Sequence, residues 1–136
     1  MAQEKFKKYM NKITKDILKQ VYPQRANDSH KYDFGLLTVI GGGQFYTGAP
    51  ALSAMAAFRA GVGMCHILAP KRAADVIAGF SPNLASLPLK GDWLDQEDVA
   101  VLLAQIASAV AVAGEKTAVV IGGGVGRSVE TQIALQ

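Results

Sequence analysis

An apolar run that opens into a cluster of glycines occurs twice in this chain, and it constrains the fold more than any other feature. Leu36–Ile40 leads into Gly41–Gly43, and Thr117–Ile121 leads into Gly122–Gly126; a helix pattern follows each cluster. Continuous apolar strands that alternate with helices are typical of a mostly parallel sheet flanked by helices. The sequence therefore predicts an α/β fold in which the two glycine turns converge at one edge of the sheet.

The spacing of apolar residues predicts further elements and two parts of the chain. Residues 1–22 form an amphipathic N-terminal helix that ends before Pro23, and residues 23–136 form the α/β domain. Because the strands are continuously apolar, we expect both of their faces to be buried. The predicted helices are 49–60, 71–78 and 95–110, and the predicted strands are 36–40, 64–69, 84–89 and 117–121.

Charge and cysteine content limit the classes of partner and compartment. Eight of the 14 Lys and Arg residues lie in residues 1–31, but lysines on the solvent face of a helix explain them without nucleic acid or a membrane surface. Cys65 is the single cysteine, which excludes an intramolecular disulfide and favours a reducing compartment. Charges or glycines interrupt every apolar stretch long enough to cross a bilayer. We expect a cytoplasmic protein that binds neither nucleic acid nor membranes.

The glycine turns are candidate anion sites that match neither common nucleotide motif. Glycines let the backbone approach a ligand, Thr47 is placed to cap the following helix, and Pro50 suits its first turn. No Gly-Lys-Ser/Thr follows, and Tyr46 and Arg127 stand where a dinucleotide motif has its third glycine. Tight connections without a ligand remain an alternative for each turn alone. Their joint occurrence favours a ligand site.

The two histidines do not form a recognisable catalytic set. His66 alternates with Cys65 and Ile67 inside a strand, which is typical of a core or sheet-face histidine. His30 leads into the first strand and is a candidate for the rim of the sheet, or for a loop cap. The sequence shows no Ser-His-Asp arrangement, no paired carboxylates and no cluster with metal-ligand spacing.

The ordered segments resemble the ADP- or ATP-dependent NAD(P)H-hydrate dehydratases, a family with a ribokinase-like fold. The resemblance runs from about Ile13 to the C-terminus. The segments that carry it are Ser29-His30-Lys31-Tyr32-Asp33-Phe34-Gly35, Gly41-Gly42-Gly43, Tyr46-Thr47-Gly48-Ala49-Pro50, Ala57-Phe58-Arg59-Ala60-Gly61-Val62-Gly63 and Val120-Ile121-Gly122-Gly123-Gly124-Val125-Gly126-Arg127.

The resemblance implies a hydro-lyase that repairs NADH or NADPH hydrated on the nicotinamide ring. A nucleotide phosphorylates the ring hydroxyl, which then leaves as phosphate, with ADP or ATP and Mg²⁺ as cofactors. The residues that it implies for substrate binding are Thr47, Gly48, Ala49, Gly122, Gly124 and Gly126, with His30, Lys31 and Tyr46 as further candidates. Three residues depart from the family pattern: Tyr32 stands for a glycine, and Gly123 and Val125 stand for a proline and a leucine.

The catalytic segments of that family do not occur in residues 1–136. Its Gly-Thr/Ser-Gly-Asp turn, which supplies the catalytic base, is absent from the sequence, so no catalytic residue is predicted. The last helix also reaches Gln136 without a stop signal. We therefore expect the N-terminal half of a ribokinase-like domain, inactive alone, which forms a homo-oligomer or is completed by a C-terminal chain. A small-molecule kinase fragment and a non-catalytic nucleotide-binding or assembly module are the alternatives.

Overall fold

The computed structural model describes residues 13–22 and 24–136 and confirms the alternation of strands and helices. The described strands are β1 (Leu36–Ile40), β2 (Met64–Pro70), β3 (Ala85–Leu89) and β4 (Thr117–Ile121). The described α-helices are α1 (Lys15–Val21), α2 (Ala49–Arg59), α3 (Lys71–Ala78), α4 (Val99–Ala113) and α5 (Val129–Ala134). Helix α4 begins later than predicted because Asp95 caps a 3₁₀ turn, Gln96–Asp98, that precedes it.

The four strands form one parallel sheet in the order β3-β2-β1-β4. The chain runs outward from β1 through β2 to β3 and then returns to the other side of β1 to form β4. The strand order therefore reverses at β1. In open α/β sheets, ligands bind outside the carboxyl ends of the strands at such a switch point. Here that point lies between the ends of β1 and β4.

Alternate strand residues build one apolar cluster on each face of the sheet. Val39 and Ile67 belong to the cluster that α2 and α3 cover, and the side chain of Ile77 in α3 is fully buried in it. Ile40 and Leu68 belong to the cluster that α4 covers. The period of two along each strand thus produces helix layers on both faces, as predicted for a parallel sheet.

The expectation that every strand is buried on both faces is wrong for both edge strands. Leu87 of β3 is 38% exposed, and β4 is exposed over a longer stretch. Its last three residues, Val119, Val120 and Ile121, are 38%, 43% and 54% exposed. The physical reason is its position, because β4 pairs with β1 on one side only and its other edge is open among the described residues. An apolar run specifies a strand, but a neighbouring element is needed to bury it.

The helix beside β4 also presents apolar side chains to solvent. Leu102 and Ala109 face the core, whereas Leu103, Val110 and Val112 are at least half exposed. Within the described part of the chain, one helical stretch, Gln96–Lys116, has the length and composition of a membrane-crossing helix. Its most apolar window has a mean hydropathy of 1.6 and is 22% buried.

Only part of the predicted N-terminal helix can be compared with the structure. Residues 1–12 and Pro23 lie outside the described residues, and α1 occupies Lys15–Val21. The apolar side chains of Ile13, Ile17 and Val21 are exposed.

Candidate functional site

The first glycine turn is held at the carboxyl end of β1 by backbone hydrogen bonds. The amide of Gly41 donates to the carbonyl of Leu68 at 3.1 Å, and the amide of Gly43 donates to the carbonyl of Tyr46 at 3.0 Å. Gly42 has a φ of +81°, where a side chain would be strained, and a Cβ there would lie 3.0 Å from Cβ of Ala73. The turn therefore requires glycine for both conformation and space.

The second glycine turn follows β4 and depends even more on left-handed backbone. The φ angles of Gly123, Gly124 and Gly126 are +69°, +90° and +86°, and that of Gly122 is +133°. Residues with side chains rarely adopt these conformations. Successive amides in such turns form concave sites for anions.

The two turns touch each other through their backbones, which confirms that they converge. The amide of Gly42 donates to the carbonyl of Gly123 at 3.0 Å, and the amide of Gly122 donates to the carbonyl of Ile40 at 2.9 Å. A Cβ on Gly41 would overlap the carbonyl oxygen of Gly122. Only glycine allows this approach, so the paired turns form a single surface at the switch point of the sheet.

The segment before α2 lies against the second turn. A Cβ on Gly123 would be 3.2 Å from Cβ of Ala49, and a Cβ on Gly124 would be 2.8 Å from Cβ of Tyr46. Thr47 and Gly48 connect these two residues and are partly buried. The structure therefore places Tyr46 against Gly124 and Ala49 against Gly123, with Thr47 and Gly48 in the segment between them.

The prediction that Thr47 caps α2 is wrong, because Gly48 is the N-cap residue and no side chain bonds to the first turn. The start of this 11-residue helix therefore keeps uncapped amides, next to the second glycine turn. Unsatisfied amides and the helix dipole together favour a bound anion.

His30 and Lys31 lie at the opposite end of the sheet. Both precede β1, whereas the glycine turns follow its last residue, so the length of the strand, roughly 16 Å, separates them. The amide of His30 donates to Asp33 Oδ2 at 2.7 Å, and the carbonyl of Lys31 lies against Gly63. The structure does not bring these two candidates to the paired turns.

The sequence did not identify two residues that lie near the turns, Arg72 and Trp93. Nη1 of Arg72, in the first turn of α3, donates to the carbonyl of Gln44 at 2.7 Å and places a guanidinium beside the first loop. The Trp93 ring touches both glycine turns. The available signal for Arg72 was its position directly after β2, at the same edge of the sheet; Trp93 lies in an irregular connection and gave no signal.

Among the described residues, three titratable groups have shifted pKa values, and none of them belongs to either turn. Burial raises the pKa of Asp98, which directly precedes α4 and is 5% exposed. Burial raises the pKa of the Cys65 thiol to about 11, and the side chain has no exposed surface. Burial, and secondarily the charge of Lys31, lowers the pKa of His66. The turns themselves contain no Asp, Glu, His or Cys, and residues 13–22 and 24–136 hold no cluster of such side chains that could bind a metal. Neither turn therefore supplies an acidic or basic side chain of its own.

Comparison with known proteins identifies similar chains. The family model described as NAD(P)H-hydrate dehydratase matches residues 37–136. The chain is 36% identical over 109 residues to the bifunctional NAD(P)H-hydrate repair enzyme of Methanothermobacter thermautotrophicus, covering 80% of this chain and 20% of the relative. It is 37% identical over 119 residues to the ATP-dependent (S)-NAD(P)H-hydrate dehydratase of Phaeosphaeria nodorum, covering 83% of this chain and 36% of the relative.

Solved structures agree with the fold. A ribokinase-like superfamily protein from Enterococcus faecalis matches with a TM-score of 0.69 and 26% identity, over 90% of this chain and 38% of that one. A protein from Streptococcus mutans matches with a TM-score of 0.68 and 23% identity, which supports the fold alone. The chain thus spans about a fifth to two fifths of the length of these relatives and structures.

Proposed function

Because the chain belongs to the NAD(P)H-hydrate dehydratase family, we propose that it acts in the dehydration of hydrated NADH or NADPH, coupled to ATP or ADP. The names of several relatives specify ATP, whereas ADP rests on the resemblance of the sequence alone. The whole activity is a proposal, since the chain spans 20% and 36% of the two relatives described.

The observation that carries the proposal is the backbone contact between the two glycine turns at the switch point. The phosphates of the nicotinamide nucleotide lie on the amides of Gly124 and Gly126 and on the open start of α2. Gly122 contributes its left-handed backbone to the turn, because its own amide donates to the carbonyl of Ile40. Thr47, Gly48 and Ala49 line the same surface, with Tyr46 beside them. His30 and Lys31 are not included, because they lie at the other end of β1.

The chain contributes binding, and the chemistry requires further groups. Phosphoryl transfer depends on positioned charge and on a group that orients the attacking hydroxyl. No acidic residue or histidine lies in either turn. Mg²⁺ enters with the phosphates of the nucleotide, because no cluster of metal-ligating side chains is present among residues 13–22 and 24–136. This chain alone therefore binds the hydrate without turning it over.

The catalytic groups come from a second polypeptide segment that pairs with the open edge of β4. An unpaired strand edge offers a row of amides and carbonyls to another strand. Val119, Val120 and Ile121 are exposed along it. The occupant is the part of the family domain that this chain does not span, since the relatives are about three to five times longer than their match to it. A second copy of this chain is the competing occupant.

The free, buried thiol of Cys65 supports a reducing, cytoplasmic setting.

Recovery of the absorbance of reduced nicotinamide from hydrated NADPH, with ATP or ADP and Mg²⁺, tests the proposal. We expect no turnover by the folded chain, and turnover when the unmatched part of the Phaeosphaeria nodorum relative is added. Val120→Lys on the edge should abolish the complementation, whereas Val76→Lys, on the exposed face of α3, should not. Turnover by the chain alone would contradict the proposal that this chain supplies only the binding part of the site. Phosphorylation of a free alcohol would favour the kinase alternative, and binding without complementation would favour the non-catalytic module.

A further inference from the structure

Trp93 occupies the junction between the two glycine turns. A Cβ on Gly126 would lie 2.8 Å from Cζ3 and 2.9 Å from Cε3 of the indole, and a Cβ on Gly43 would lie 3.4 Å from Cζ3. One edge of the benzene ring therefore meets a glycine of each turn. The tryptophan comes from the connection between β3 and α4, so a third part of the chain contributes to this surface.

This packing leaves part of the indole exposed to solvent. The side chain of Trp93 remains 39% exposed, although its ring edge is in contact with both turns. A tryptophan that served only to hold the turns together would gain most from full burial, because burying apolar area stabilises in proportion to the area removed from water. The ring edge lies against Gly126, and the amide of Gly126 is one of those to which we assign the phosphates.

The surface around the amides is aromatic on two sides. Tyr46 is 63% exposed beside Gly124, and its ring meets that of Phe45 edge to face with centroids 4.9 Å apart. Trp93 lies on Gly43 and Gly126. Backbone amides suit a phosphate, and flat aromatic side chains suit a planar heterocycle. The combination matches the two chemical parts of a nucleotide.

We propose that Trp93 is a specificity-determining residue of this site, whose exposed indole contacts the heterocyclic ring of the bound nicotinamide nucleotide while the amides hold its phosphates. The inference rests on the proposed function and adds to it a side-chain contact with a ring, beyond the backbone contacts with phosphate. The ligand contains two base rings: adenine is planar, whereas the hydrated nicotinamide ring contains sp3 carbons and is not. The mononucleotides of adenine and nicotinamide distinguish which ring meets the indole.

Trp93 is the single tryptophan of the chain, so its fluorescence reports on this position alone. Titration with NADP⁺ should quench or shift the emission saturably, with the dissociation constant that equilibrium dialysis gives. Of nicotinamide mononucleotide and AMP, only the one that carries the ring in contact with the indole should do the same. Base stacking on an aromatic side chain contributes enough that Trp93→Leu should weaken binding roughly 5- to 100-fold. Trp93→Phe, which keeps an aromatic ring, should lose less.

A matched control separates ring contact from general aromatic content. Phe80 follows the end of α3, at the edge of the sheet opposite the turns, and is 54% exposed; Phe80→Leu should leave binding unchanged. Binding by dialysis with unchanged Trp93 emission, or wild-type affinity in a folded Trp93→Leu variant, would overturn the inference and leave the proposed function standing. Absence of saturable binding to the folded wild-type chain would overturn both.

Discussion

Replacing Gly41 by alanine tests whether the contact between the two turns supports the fold. The φ of Gly41 lies outside the left-handed region, so alanine can adopt its backbone conformation. The obstacle is space, because the new Cβ would overlap the carbonyl oxygen of Gly122, far inside the 3.0 Å that such contacts keep. β1 and β4 must therefore move apart at their carboxyl ends.

The expected loss of stability follows from the contacts that this movement disturbs. The two hydrogen bonds that join the turns, at 3.0 and 2.9 Å, contribute about 0.5–1.5 kcal/mol each. Overpacking lowers the stability of the folded state by about 1–3 kcal/mol. Alanine also reduces the conformational entropy of the unfolded chain relative to glycine, which stabilises the folded state by about 0.4–1 kcal/mol. The free energy of unfolding should fall by about 1–6 kcal/mol, a large part of the stability of a small domain.

Urea unfolding followed by circular dichroism measures this change, with Gly79→Ala as the matched control. Gly79 has an ordinary φ of −78° at the end of α3, and a Cβ there would lie 3.4 Å from the carbonyl oxygen of Val76. We expect Gly79→Ala to change the free energy of unfolding by less than about 1 kcal/mol. If Gly41→Ala behaved like Gly79→Ala, with the same dependence on urea, the turns would not be in contact as described.

Three further predictions concern the side chains of Cys65, His66 and Thr131. Cys65 should resist a thiol reagent in the native protein and react on unfolding, because burial raises its pKa to about 11; fast labelling of the folded chain would contradict this. Burial lowers the pKa of His66 in the folded protein. The contribution of this residue to the free energy of unfolding should therefore be fully present above the ordinary histidine pKa and decrease as the pH drops below it. His66→Gln should flatten this dependence when unfolding is measured as a function of pH. Thr131→Val removes the hydrogen bond that Oγ1 donates to the carbonyl of Leu94 at 2.8 Å, and thermal unfolding should show a loss of about 1–3 kcal/mol of stability. Thr131→Ser keeps the hydroxyl and should retain most of the wild-type stability. Equal stabilities of the two variants would refute this prediction.

The strands and most helices followed from local pattern, because alternating apolar runs and glycine turns leave few other arrangements. Strands β1 and β4 have the predicted boundaries. The convergence of the turns also followed, since parallel strands end at one edge. The strand boundaries depend on residues that are neighbours in sequence, and the convergence of the turns depends only on the strands being parallel.

Features that depend on which segments meet in space did not follow from the sequence. The exposure of β4 depends on its place at the edge of the sheet, which an apolar run does not encode. Trp93 reaches the turns from the irregular connection after β3, and Arg72 reaches Gln44 from another helix. Thr47 had the right residue type for a cap, but α2 begins after Gly48 instead.

Equilibrium dialysis of hydrated NADPH against the folded chain tests the central claim, that the paired glycine turns form a nucleotide site. We predict saturable binding of one ligand per chain that Gly79→Ala retains and Gly41→Ala loses, because only the second variant separates the turns. Equal binding by wild type and a folded Gly41→Ala variant would place the ligand elsewhere. Absence of saturable binding to the wild-type chain would contradict the site itself.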